Sequence, residues 1–259
     1  MHSFDYHRPK TLKEALDLLD HAVPLGGGTA LTPMLDRVEA VVDLRDLGLD
    51  SFSVEEEQIT LGSMFRLEGI LEGNESIPDA LRKACQQEAG WNLRNQASIG
   101  GMLMTAEGRS PLLTACLALE AAVFLEPGEN KLPLADFLGD RHRYRNGWLI
   151  TALQFRIPRS HSYQQVSRSP ADVPIVCASL AVYQEGQQSS IRVALGGYGP
   201  HPLLISSEAS ILQQAGGRKG FLEAVRELYR KADDTWASAA YRSEIAGVLV
   251  DRLLNGGLS

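Results

Sequence analysis

Net positive charge, cysteine and long apolar runs are all in short supply, and each shortage removes a class of function. The chain has 25 Lys and Arg against 32 Asp and Glu, a formal net charge of −7. A nucleic-acid partner needs a net basic face to neutralise phosphates, so none is expected. The one local exception, "RHRYR" at 141–145, reads as a solvated loop. The three cysteines, Cys85, Cys116 and Cys177, are odd in number and far apart. They form neither a disulfide framework nor a zinc pattern. The longest apolar run, "PLLTACLALEAAVFL" from Pro111, is interrupted by Glu120. It falls short of the roughly 20 residues that a spanning helix needs. "MHSFDYHRPK" lacks the apolar core of a secretory signal. No membrane insertion is expected, and a reducing, cytoplasmic setting is. His-Glu-x-x-His and closely spaced His, Cys and carboxylate sets are missing, so a metal site is not expected. Gly-x-Ser-x-Gly is missing too, and no general acid or base can be assigned.

What is present is glycine, in two revealing places. "PLGGGTALTPML" (24–35) sets Gly26, Gly27 and Gly28 between apolar stretches and follows them with Thr29 and Ala30. Consecutive glycines after a strand permit positive φ and expose backbone N–H groups to an anion. A phosphate-binding Walker loop would need Gly-Lys-Ser/Thr, and no lysine follows. A dinucleotide fingerprint would need a third glycine where Leu31 stands. The second place is "ASIGGMLMTAEGRSP" (97–111), with Ser98 and Ile99 before Gly100 and Gly101, and Thr105 after them. Small hydroxyl residues beside glycines add side-chain donors to a ring of amides. A third glycine-rich stretch, "ALGGYGPHP" (194–202), reads as a structural turn. Trp91, Trp148 and Trp236 read as core or interface residues.

Thr11 and Glu14 make a capping box for a helix whose Leu12, Ala15, Leu16 and Leu19 share a face. "VPL", a helical turn at "LTPML" and the strand "EAVVDL" complete a small βαβ-like unit. It ends near residue 50, where "RDLGLDSFSVEEE" reads as a connection. A second region holds the strand "ITLG", two helices, the second glycine loop, the helix "PLLTACLALE", and a strand closed by "PGENK". "WLITALQFRIP" ends it. Polar residues 159–171 then lead to the strands "PIVCASLAVYQ" and "SIRVALGGYG" and three helices, a mixed C-terminal domain.

Taken together, "FDYHRPKTLKEALDLL", "PLGGGTALTPML", "NLRNQASIGGMLM", "ADVPIVCASLAV", "IRVALGGYGPHPLL" and "SAAYRSEIAGVLVDRLL" resemble one family, in that family's order and nearly end to end. It is the FAD-binding medium subunits of molybdenum hydroxylases, among them the flavoprotein subunit of carbon monoxide dehydrogenase and the FAD-binding part of xanthine dehydrogenase. The resemblance implies an α+β fold: a two-part FAD-binding domain of the PCMH type over 1–157, divided at about residue 50, then a smaller α+β domain over 158–259. It implies FAD as cofactor, its pyrophosphate met by Leu25, Gly26, Gly27, Gly28, Thr29 and Ala30 on one side and Ser98, Ile99, Gly100 and Gly101 on the other. It also implies an iron–sulfur subunit and a large molybdopterin subunit as partners, with NAD, oxygen or a quinone as acceptor. Three cysteines at this spacing cannot ligate an iron–sulfur cluster, so this chain would be one link in the relay. Three positions depart from the family: Ala30 and Met102 stand where polar residues are usual, and Pro111 where an Asp contacts the nucleotide. Those departures keep open a second reading, a subunit that retains the fold without FAD and serves assembly. A stand-alone flavin oxidoreductase is the third.

Overall fold

The computed structural model describes residues 4–73 and 75–257. By packing, the chain divides into two units, neither of which is continuous in sequence. One holds the chain up to Ser76 with Ala89–Thr105 and Glu120–Arg156; the other holds Ile77–Glu88, Ala106–Leu119 and the chain from Ile157.

The first unit opens with β1 (Asp5–His7), α1 (Leu12–Leu18), β2 (Val23–Leu25) and β3 (Ala40–Asp43). The capping box forms as expected: Thr11 Oγ1 accepts from the Glu14 amide at 3.2 Å, and the Glu14 carboxylate accepts from the Thr11 amide at 3.3 Å. The buried residues Ala15 and Leu19 then join Ala22, Val42, Leu44, Met64 and Leu149 in one core. The three strands form a parallel sheet in the order β1-β3-β2.

A hairpin follows, β4 (Phe52–Glu55) and β5 (Gln58–Gly62), turned by Glu56 and Glu57 at positive φ. The expected connection at "RDLGLDSFSVEEE" thus contains a strand. Its residues Val54 and Glu55 are exposed, so it lacks the alternation that marks a half-buried strand. Next come α2 (Leu67–Glu72), α3 (Asp79–Glu88), α4 (Trp91–Arg94), α5 (Ile99–Thr105) and α6 (Pro111–Ala118). Then come β6 (Ala122–Glu126), β7 (Asn130–Pro133), α7 (Leu134–Gly139) and β8 (Leu149–Arg156). The second sheet of this unit is antiparallel, in the order β4-β5-β8-β6-β7. The four-residue helix α4 is fixed by its last residue. Arg94 is buried, pairs with buried Glu68 at 2.6 Å and also donates to the Ala89 carbonyl.

The other unit is built on β9 (Ser160–Val166), β10 (Val176–Glu185), β11 (Gln188–Gly196) and β12 (Leu203–Glu208), an antiparallel sheet in the order β12-β11-β10-β9. Leu180, Val182, Ile191 and Val193 join a core with residues of α8 (Ala209–Gln213), α9 (Gly217–Leu228) and α10 (Ala239–Gly257). On the alternate residues, Cys177 meets Thr114 of α6 at 3.5 Å, and Gln165 meets Gln87 of α3 at 3.0 Å. Every residue of α6 is buried, so an apolar helix with no polar face is enclosed on all sides. That requirement draws α3 and α6 into this unit. The expected turn at 194–202 has Gly197 and Gly199 at positive φ. It also clasps Gly108: the Gly108 amide donates to the Gly199 carbonyl and the Gly197 amide to the Gly108 carbonyl.

Glu88, at the end of α3, accepts from the Ser110 hydroxyl at 2.7 Å and from the Leu112 amide at 2.9 Å, at the start of α6. Burial pushes its carboxyl above the ordinary value of 4.5. A raised folded-state value means stability that is complete at acid pH and lost as pH rises through it. Glu88→Gln keeps both accepted hydrogen bonds and removes the titration. The stability of the wild type relative to this variant should therefore decline as pH rises above about 4.5 and then level off, measured by urea unfolding across a pH series. A constant difference would refute the buried ionisation. Arg94→Ala should cost about 3–5 kcal/mol by the same assay, because it leaves Glu68 buried without its partner.

Candidate functional site

The first glycine loop begins where β2 ends. Leu25 pairs with Asp43, and the Leu44 amide donates to the Leu25 carbonyl at 3.1 Å. Asp43 is buried there and accepts from the Tyr6 hydroxyl, the Arg45 amide and the Arg45 guanidinium. That hydrogen bond to Asp43 holds the Tyr6 phenol above its usual value. Gly28 then takes φ +74°, a left-handed conformation that favours glycine, and its carbonyl accepts from Thr32 at the start of a 3₁₀ turn, Thr32–Arg37. Thr29 and Ala30 are exposed.

The second loop is held by the chain that leaves β5. Arg66 and Ser98 form an isolated antiparallel bridge, with Leu67 donating to the Ala97 carbonyl and Ile99 to the Phe65 carbonyl. The Gly100 amide donates to the Ser63 carbonyl at 2.7 Å and the Gly101 amide to Ser98 Oγ at 3.3 Å. Thr105 donates its hydroxyl to the Gly101 carbonyl at 2.8 Å, within the helix. Ile99 and Met102 are buried.

The two loops touch. A Cβ placed on Gly27 would lie 1.7 Å from the Gln96 carbonyl oxygen and 3.0 Å from Ala97 Cα; one on Gly26 would lie 2.7 Å from Ser98 Oγ. The first two glycines therefore have a packing role that the sequence did not show. They make room for the neighbouring loop. Gly100 has the same constraint, its Cβ position 3.0 Å from Ser63 Cβ.

The amides divide unequally. Among the described residues, those of Ile99, Gly100 and Gly101 are spent on protein acceptors, whereas those of Gly26, Gly27, Gly28, Thr29, Ala30 and Ser98 donate to none. Gly26, Gly27 and Gly28 are half-buried, and a run of unclaimed N–H groups there fits an anion such as a diphosphate. The second loop works as the wall against which the first is set. Two further residues belong to this junction and carry no sequence motif. Arg66 donates to the Gln96 carbonyl, and Ser63 Oγ is buried with no partner among the described residues. The bridge to Ser98 that brings Arg66 here is a long-range pairing, and no local pattern announces it.

Pro111 lies in the other unit, at the first position of α6, where Ser110 caps the helix through the Leu113 amide. Trp91 is 64% exposed and Trp236 37%, so neither is a core residue; Trp236 is flanked by the guanidinium groups of Arg109 and Arg168. "RHRYR" forms a 3₁₀ turn in which Tyr144 stacks on Phe137. All three cysteines are buried, and none is in a disulfide among the described residues. Among the described residues no His, Cys, Asp and Glu group could hold a metal ion, and no helix is long and apolar enough to cross a membrane.

Residues 2–160 match the family model of the FAD binding domain in molybdopterin dehydrogenase, and 161–256 that of the CO dehydrogenase flavoprotein C-terminal domain. YgfM of Escherichia coli (strain K12), an uncharacterized protein, is 30% identical over 255 residues, covering 95% of this chain and 93% of that one. The carbon monoxide dehydrogenase medium chain of Afipia carboxidovorans is 26% identical over 275 residues, covering 96% and 95%. Among solved structures, reconstituted CO dehydrogenase from Oligotropha carboxidovorans superimposes with a TM-score of 0.78 at 25% identity, covering 96% of both chains. Quinoline 2-oxidoreductase from Pseudomonas putida 86 shares the fold, with a TM-score of 0.79 at 19% identity, covering 98% of this chain and 96% of that one. The chain belongs to the FAD-binding medium-subunit family of the molybdenum hydroxylases, as an α+β flavoprotein oxidoreductase subunit whose cofactor is FAD.

Proposed function

We propose that the chain holds the FAD diphosphate on the amides of Gly26, Gly27, Gly28, Thr29 and Ala30, with Leu25 leading into that loop. Ser98, Ile99, Gly100, Gly101 and Thr105 back it from the second loop. In this reading the subunit relays electrons from the centres of an iron–sulfur subunit to NAD or another acceptor. Substrate oxidation falls to a large molybdopterin subunit. A flavin exchanges one electron or two, which is what joins single-electron carriers to a two-electron acceptor.

The observation that carries the reading is the run of unclaimed amides in the first loop, set against a second loop whose Ile99, Gly100 and Gly101 amides are spent. Ala30 would contribute through its backbone, so its lost side-chain polarity leaves that donor in place. Met102 turns into the core and removes no donor either. Family membership supports the partners as well: the Afipia carboxidovorans relative is named as the medium chain of its dehydrogenase. The cytoplasmic setting belongs to the same proposal.

FAD titrated into the purified chain should saturate near one per chain, followed by absorbance and by quenching of flavin fluorescence. Gly27→Ala should weaken that binding at least tenfold, because the new methyl would overlap the Gln96 carbonyl and force the loops apart. Gly90→Ala is the control, since a Cβ there meets nothing within 4 Å, and it should bind as the wild type does. A wild-type chain that ignores excess FAD would refute the proposal and favour the assembly role.

A further inference from the structure

We infer that Arg66 is the cation of the FAD diphosphate site. The inference rests on the reading of the first loop given above. Backbone amides bring partial positive charge, but a diphosphate brings roughly two full negative charges, and a half-buried site screens them less than water does. A full positive charge at the loop junction would answer that need.

Arg66 is placed there by three independent features. Its backbone bridges to Ser98, which sets the side chain beside the second loop. Its guanidinium donates to the Gln96 carbonyl, the same oxygen that a Cβ on Gly27 would strike, so the charge is anchored where the two loops meet. Among the described residues no carboxylate pairs with it, and the Gln96 carbonyl is its one protein acceptor. A guanidinium has five N–H donors in a planar fork. One is used on Gln96, which leaves the fork free to take two phosphate oxygens. Ser63 adds a second sign of an incomplete site: its buried hydroxyl, unpartnered among the described residues, lies on the turn that leads to Arg66.

The test compares wild type, Arg66→Gln and Arg66→Lys, titrated with FAD and with ADP across a range of ionic strength. Circular dichroism melts check that all three fold. Loss of a charge-assisted hydrogen bond predicts that Arg66→Gln weakens FAD by about ten- to hundredfold. ADP should weaken by the same factor, since it carries the diphosphate without the flavin. The salt dependence of both should become shallower. Arg66→Lys should restore the salt dependence and only part of the affinity, because an ammonium keeps the charge without the fork. If Arg66 only anchors the loop through Gln96, affinity would fall with salt dependence unchanged, and that result would overturn the inference. So would an Arg66→Gln variant that binds both ligands like the wild type. A wild type that binds neither FAD nor ADP would sink the loop assignment itself, and the inference with it.

Discussion

The Gln96 carbonyl oxygen occupies the space in which any side chain at residue 27 would have to begin. A backbone oxygen cannot move aside as a flexible side chain can, so this approach fixes the path of both loops at once. The exit of β2, the turn at Gly28, the bridge between Arg66 and Ser98 and the start of α5 are all built around it. Each element has its own local cause. Their common register comes from this one contact.

Close packing of two loops has an electrostatic result. Backbone N–H groups at a loop surface are either paired within the protein or left for something else, because buried donors without partners are rare. The second loop pairs its own amides with Ser63, Phe65 and Ser98 and so becomes rigid and self-sufficient. The first loop's amides have no protein acceptor among the described residues, and the Gln96 carbonyl that Gly27 faces is engaged by Arg66. Rigidity on one side and unspent polarity on the other are what an anion site needs. They arise here from the same approach of two chains.

Much of this could be read in the residues alone. Thr11 and Glu14 announce α1, and the two glycine clusters announce the site, because capping and left-handed turns are local chemistry. The strand β9 was hidden: Ser160–Val166 is polar at nearly every position, and its partner is β10, reached only through the fold. The strand β12 was hidden for a similar reason, with Ser206, Ser207 and Glu208 at its end. Arg66 has no motif around it and takes its meaning from a pairing with Ser98. The packing role of Gly26 and Gly27 was not legible, because a glycine states only that space is needed. What fills the space is a matter of tertiary structure.

The helix α6 is apolar almost throughout and packs against α3 and against β10 and β11, strands that begin only at Val176 and Gln188. During synthesis the ribosome therefore releases α6 well before the strands that will shelter it. For that interval the only one of these three partners already made is α3. The order of translation and the order of packing run against each other. The part of the chain that matches the FAD-binding domain is made first, yet the strands that cover its helix α6 lie beyond residue 175.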